Sequence, residues 1–186
     1  MKIYNTLSHK EEVFIPWEEG KVSFYTCGPT VYHYAHIGNM RNYIGHDILD
    51  KTLRFIGFDV TRCMNITDVG HLTSDSDSGD DKMVASAKKE HKTVLDIASF
   101  YTDAFFKDFD ALNCKRPEIV SNATDNIEEY IKIITKLLKD GYAYKAGGNV
   151  YFDTSKLKDY YVLTNHKEDD MVVGARESVE FDASKK

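Results

Sequence analysis

The sequence is poor in cysteine and has no cysteine pair at metal-knuckle spacing. Cys27, Cys63 and Cys114 are the only three in 186 residues. An odd, widely spaced set describes no disulfide framework, and the lack of any CxxC excludes a self-contained zinc knuckle. No run of about 18 or more apolar residues occurs, so no membrane-spanning helix is expected. Met1 to Lys10 mixes polar and apolar residues without the apolar core of a signal peptide, and a cytoplasmic protein is the expectation. Positive charge is also short. Lys and Arg number 24 against 30 Asp and Glu, a net charge of −6. That excludes a domain-wide cationic field, so neither DNA nor a membrane surface is expected as partner; a local basic face stays open. What is present is 42% hydrophobic residues, enough for a sizeable core in one medium domain or one and a half small ones.

The pattern along the chain is α/β. Lys21 to Cys27 is a β-favouring run ending in Gly28-Pro29, a strand followed by a loop. A helix is expected to open near Gly38, to run through Ile44, Ile48, Thr52, Leu53 and Ile56, and to stop at Gly57. Phe58 to Thr67 places Val60, Met64 and Ile66 on one face of a second strand. Strand, helix and strand at this spacing form the βαβ unit of a parallel sheet. Asp68 to Lys82 reads as a long acidic loop, and Lys82 to Glu90 as a short charged helix. Thr93 to Leu112 is a helix carrying Val94, Ile97, Phe100, Tyr101, Ala104, Phe105 and Leu112 on its period. After Arg116-Pro117 the character changes. Asn126 to Lys139 is an amphipathic helix with Ile127, Tyr130, Ile131, Ile134, Leu137 and Leu138 expected inward. Tyr142 to Tyr144 and Val150 to Phe152 flank Gly147-Gly148 as a β-hairpin. Thr154 to Lys186 is polar and weakly patterned.

The sharpest chemical signal is Cys27-Gly28-Pro29-Thr30-Val31-Tyr32 followed by His36-Ile37-Gly38-Asn39 at the helix start. A strand end, a glycine-bearing loop and a helix N-terminus make a phosphate cradle, because unpaired N–H groups and the positive helix end favour an anion. His36 and Asn39 can donate to phosphate oxygens, and Gly38 allows close approach to the backbone. The plainer alternative is a helix cap with a loop histidine. In the acidic loop, Asp75, Asp77, Asp80 and Asp81 invite a calcium reading. Ser78 stands before Gly79, however, and Ser86 takes the place of the closing glutamate, so a solvated loop is expected. Lys88-Lys89 and Lys185-Lys186 read as solvated charge.

The string Tyr25-Thr26-Cys27-Gly28-Pro29-Thr30-Val31-Tyr32-His33-Tyr34-Ala35-His36-Ile37-Gly38-Asn39-Met40-Arg41 resembles the HIGH segment of class I aminoacyl-tRNA synthetases, specifically the cysteinyl family. Asn39 stands where the motif has its second histidine. Further segments resemble the same family in the same order. They are Tyr4-Asn5-Thr6-Leu7, Asn65-Ile66-Thr67-Asp68, Asp108 to Asn113, Arg116-Pro117 with Ala123-Thr124, Gly141 to Tyr144, and Val150 to Asp153. The resemblance covers essentially the whole chain.

The resemblance implies the first half of a split Rossmann-type domain with parallel strands over 1–115, then the start of an α+β connective insertion over 116–186. It implies activation of cysteine by ATP and transfer to tRNA(Cys). His36 and Asn39 would be catalytic, Thr30, His36, Gly38 and Asn39 would bind ATP, and Gly28, Thr30 and Thr67 would lie at the cysteine, with Asp68 nearby. Cys27 matches one of the family's four zinc ligands. A zinc–thiolate bond separates cysteine from serine better than an apolar pocket can. Cys63 and Cys114 read as ordinary core or surface residues. The family's second signature, KMSKS, and its other zinc ligands have no counterpart among these residues. The expectation is therefore an N-terminal piece of such an enzyme, inactive by itself. A cysteine ligase of the mycothiol type, and a non-catalytic relic binding nucleotide, tRNA or a partner chain, are the alternatives.

Overall fold

A computed structural model describes residues 1–70 and 93–163. The acidic loop, the short helix over 82–90, the lysine pairs and the polar stretch beyond 163 lie outside the described residues. Those described fall into two compact units, one of 1–15 with 127–163 and one of 16–70 with 93–126.

In the first unit, β1 (Lys2–Asn5) and β2 (Lys10–Val13) pair antiparallel, Lys2 opposite Val13 and Asn5 opposite Lys10. The sequence reading did not single out this hairpin.

The second unit is built on three parallel strands, β3 (Lys21–Thr26), β4 (Asp59–Ile66) and β5 (Ile119–Asn122), side by side in that order. Lys21 to Thr26 pair with Asp59 to Met64, and Cys63 to Ile66 with Ile119 to Asn122. Between β3 and β4 runs α1 (Ile37–Phe55), and between β4 and β5 runs α2 (Val94–Ala111). Gly57, at φ +101°, turns the chain after α1 as expected. Thr93 and Asp96 close α2's start with a capping box, each side chain bonding the other's backbone N–H.

Both helices pack on the face of the sheet that carries Met64 and Ile66. There Met40 and Tyr43 of α1 meet Ile97, Tyr101, Phe105, Phe106 and Phe109 of α2 in one core. The alternation expected for β4 holds, with Val60, Met64 and Ile66 buried. Not every apolar residue named on these two helices is buried. On α1 the buried side chains are Met40, Tyr43, Asp47, Asp50 and Leu53, while Ile48 and Ile56 are exposed. Phe100 on α2 and Leu112 just past its end are exposed. The cause on α1 is charge: Arg62 shares the inward face of β4 and is fully buried. A buried guanidinium requires a carboxylate partner, and Asp50 turns inward to supply it; Asp47 turns inward to the Lys115 backbone N–H and Lys51.

Asp50 lies 3.4 Å from Arg62 Nε and accepts from Arg54 Nε at 2.5 Å. Arg54 also donates to Glu118 at 2.8 Å and to the Val60 carbonyl at 2.6 Å. Asp47 accepts from the Lys115 backbone N–H at 2.7 Å and pairs with Lys51 at 2.7 Å. The Arg62 guanidinium also donates to the Lys115 carbonyl. Polar bonds thus tie α1, β4 and the approach to β5 together.

Burial alone would raise the Glu118 carboxyl. Hydrogen bonds from Lys115 and from the backbone of Arg62 outweigh it and bring the pKa to about 2. A carboxylate depressed by folding stabilises the fold above its unfolded pKa, and that contribution is lost as pH falls through the folded one. Glu118→Gln is therefore expected to cost about 1–2 kcal/mol at pH 7, a figure discounted for its exposure to solvent. The difference from wild type should shrink between about pH 4.5 and pH 2. Denaturant midpoints across that range check it, and a pH-independent difference refutes the assignment.

The first unit also holds α3 (Ile127–Lys139) and the hairpin of β6 (Ala143–Ala146) and β7 (Asn149–Phe152). Gly147 and Gly148 both take positive φ, +53° and +82°, the tight two-residue turn that glycine pairs permit. On α3 the expected apolar face exists, but Ile127, Tyr130, Ile131 and Ile134 are exposed rather than buried.

Candidate functional site

Parallel strands gather loops at their C-terminal ends, and ligands of α/β sheets bind there. Past the end of β3 the chain stays beside β4 for one more step. Val31 N–H donates to the Thr67 carbonyl at 3.1 Å, and Thr67 N–H donates to the Pro29 carbonyl at 3.0 Å. The chain then crosses to α1 and encloses an open cleft of about 440 Å³, within the range of small-molecule sites. Gly28, Thr30, Tyr34, His36, Asn39 and Tyr43 are among its lining residues. The structure thus brings together four of the seven site residues expected from sequence. Cys27, Gly38 and Thr67 adjoin the cleft without lining it.

His36 is the N-cap of α1. Its Nδ1 accepts from Gly38 N–H at 3.1 Å, and Asn39 Oδ1 accepts from His36 N–H at 3.2 Å, a reciprocal capping box. The cap reading therefore holds, and it determines the tautomer. A neutral imidazole whose Nδ1 accepts carries its proton on Nε2. Asn39, with Oδ1 committed to the backbone, keeps both Nδ2 hydrogens as donors. Gly38 has a reason the sequence did not show: a Cβ there would lie 2.9 Å from His36 Cε1. Any side chain would push the capping ring aside.

Gly28 is more constrained. A Cβ on it would lie 1.7 Å from the backbone oxygen of Asn65 and 2.8 Å from Met64 Cγ. Its N–H donates to Asn65 Oδ1 at 2.8 Å. The same oxygen accepts the Tyr25 hydroxyl at 2.6 Å, and Asn65 Nδ2 donates to Thr67 Oγ1 at 3.1 Å. Sequence reading placed Asn65 only within a family-like segment. Its position one step before the strand end and two before Thr67 was the available signal.

Asp68 is buried and bound to Thr124, accepting from its N–H at 3.0 Å and its hydroxyl at 2.6 Å. It latches the end of β4 to the segment after β5. Tyr43 is held protonated, its pKa pushed up to about 12 by burial and, secondarily, by the electrostatic influence of Cys27. It meets the cleft as a neutral hydroxyl.

All three cysteines are unpaired thiols; Cys27 is exposed, Cys63 half-buried and Cys114 buried. Among the described residues no group of three or more His, Cys, Asp or Glu gathers in a way that could hold a metal ion. A single exposed thiolate does not hold zinc, so the described residues do not by themselves make a zinc site. No helix among them is long and apolar enough to cross a membrane.

Residues 13–186 match the family model described as tRNA synthetases class I (C) catalytic domain. The chain is 55% identical over its whole length to a cysteine–tRNA ligase of Treponema denticola, covering 37% of that protein. It is 47% identical to one of Treponema pallidum, covering all of this chain and 36% of that protein. Against one of Zymomonas mobilis it is 50% identical over 89% of this chain and 32% of the relative. The chain thus spans about a third of the length of these curated relatives.

Proposed function

The chain belongs to the family of class I (C) tRNA synthetase catalytic domains, and from that premise we propose that the protein activates cysteine with ATP and transfers it to tRNA(Cys) in the cytoplasm. In this reading the parallel sheet is the first half of a split Rossmann-type domain, and an α+β insertion follows it. An oxygen of the cysteine carboxylate attacks the α-phosphorus of ATP. The bond from that phosphorus to the bridging oxygen breaks, and pyrophosphate leaves. No protein nucleophile takes part. The chain's work is positioning and charge stabilisation.

The observation that carries this reading is the start of α1. One face of the His36 ring's chemistry is spent on the helix, and the tautomer this fixes presents Nε2–H as a donor. His36 Nε2–H, the Asn39 amide and the α1 N-terminus then act together on the phosphates, where negative charge grows as pyrophosphate departs. Thr30 adds a hydroxyl on the same wall, and Gly38 keeps the ring in place. Gly28 and Thr30, with Thr67 adjoining, form the cysteine side. The test is cysteine-dependent exchange of pyrophosphate into ATP by the whole protein. Exchange with cysteine and not with serine is expected; no cysteine-dependent exchange sinks the proposal.

Zinc enters this reading only as a group that Cys27 would share with donors outside the described residues. When bound, it would supply a soft Lewis acid for the substrate sulfur. In the whole protein Cys27→Ser is expected to lose zinc or to hold it only weakly, read by metal analysis after dialysis. Cys114→Ser should keep the metal. One retained zinc per chain in Cys27→Ser, with cysteine still preferred over serine, rejects the ligand assignment.

A further inference from the structure

We propose that Asn65 is a positioning residue that sets the cysteine side of the cleft independently of the phosphate side, with Tyr25 as its outer anchor. The inference rests on the reading above, in which Gly28, Thr30 and Thr67 face the cysteine and His36 and Asn39 face the phosphates.

The two sides are locked by different bonds. On the phosphate side, His36 and Asn39 hold each other and Gly38 through the capping box, entirely within the first turn of α1. On the other side, one amide does the holding. Asn65 Oδ1 takes two donors, Tyr25 Oη at 2.6 Å and Gly28 N at 2.8 Å, which fill its two lone pairs and identify it as the oxygen. Its Nδ2 then points at Thr67 Oγ1, 3.1 Å away, and orients that hydroxyl. Gly28 is seated so closely on β4 that it has no room for a Cβ. The N–H bond to Asn65 is the side-chain bond that, with the backbone bridge at Thr30 and Thr67, fixes where the Cys27–Gly28 turn stands. No hydrogen bond of Asn65 reaches His36, Gly38 or Asn39. Tyr25 is well placed as an anchor because the residue is 58% exposed. Its hydroxyl can be removed without opening the core.

The test uses the whole protein in pyrophosphate exchange, with KM measured separately for cysteine and for ATP. Asn65→Ala is expected to raise the cysteine KM roughly ten-fold, the effect of losing about one to two oriented hydrogen bonds, with the ATP KM within about two-fold of wild type. Tyr25→Phe, which should fold normally, is expected to raise the cysteine KM by about three-fold, with ATP again unchanged. Asn65→Asp keeps the acceptor for Gly28 and Tyr25 and lets the Thr67 hydroxyl turn to donate. It should recover most of the loss seen in Asn65→Ala. A purely structural Asn65 would lower the melting temperature and move both KM values together, or neither, and either result overturns the proposal. So does an unchanged cysteine KM in Tyr25→Phe. If wild type itself shows no cysteine-dependent exchange, it is the function proposed above that fails. If wild type is active and the variants show no split, it is this inference that fails.

Discussion

Gly28→Ala is expected to destabilise the protein by about 3 kcal/mol or more and to abolish cysteine activation. Overpacking a core side chain costs about 1–3 kcal/mol because neighbours can rotate away. Here the added carbon would stand 1.7 Å from a backbone oxygen of β4, and a backbone cannot rotate away. Relief requires separating the end of β3 from β4, which breaks the Gly28–Asn65 bond and disturbs the bridge at Thr30 and Thr67. Thermal or denaturant unfolding reads the stability loss, and single-turnover adenylate formation reads the chemistry. A variant with wild-type stability would mean that the loop does not sit against β4 as described. Gly45, where a Cβ meets nothing within 4 Å, is the control: Gly45→Ala lies inside α1 and should stabilise by up to about 1 kcal/mol.

His36→Ala should lose about 2–4 kcal/mol of transition-state stabilisation, the size found for one lost oxyanion-type donor. That is roughly 30- to 1,000-fold in the rate of adenylate formation. The substitution also removes an N-cap, worth about 1 kcal/mol of helix stability, so alanine alone mixes two effects. His36→Asn separates them. Asparagine is a strong N-cap and can accept from the Gly38 N–H, but it has no donor at the reach of Nε2. The expected pattern is near-normal melting with the rate still down by about 2 kcal/mol or more. A single-turnover rate unchanged in both variants would show that His36 serves the helix only.

The sheet and its helices were legible because their signals are periodic. Val60, Met64 and Ile66 alternate, Gly57 ends α1, and Gly147-Gly148 turns the hairpin, each as local chemistry requires. The site loop was legible because glycine, histidine and asparagine at a helix start have few other uses. What stayed hidden was pairwise. Nothing local marks Arg62 as buried; its burial follows from Asp50, Arg54 and the segment around Glu118, distant in sequence. Asp50 turns inward on α1 for the same reason, while Ile48 and Ile56 lie exposed. β5 is four residues long, too short to show a period, and exists because β4 offers it an edge. The role of Asn65 depends on three partners that only the fold assembles, at Tyr25, Gly28 and Thr67. On α3 the amphipathic period was readable, yet period alone does not say what lies opposite, and its isoleucines are exposed.

The buried arginine also bears on how the chain is made. β4 pairs with β3, already synthesised, but its other neighbour begins 56 residues later, Cys63 against Ile119. At about 5–20 residues per second, β4 emerges several seconds before β5 and shows an open edge during that interval. Asp50 is already available to Arg62 by then, while Glu118 and Lys115 are not. A half-partnered guanidinium in the middle of an otherwise apolar strand face is costly to bury against another chain, which is how charged gatekeepers discourage edge-to-edge association. On the ribosome Arg62 would keep β4 from the wrong neighbours until β5 arrives, and the same charge then ties the finished sheet to α1.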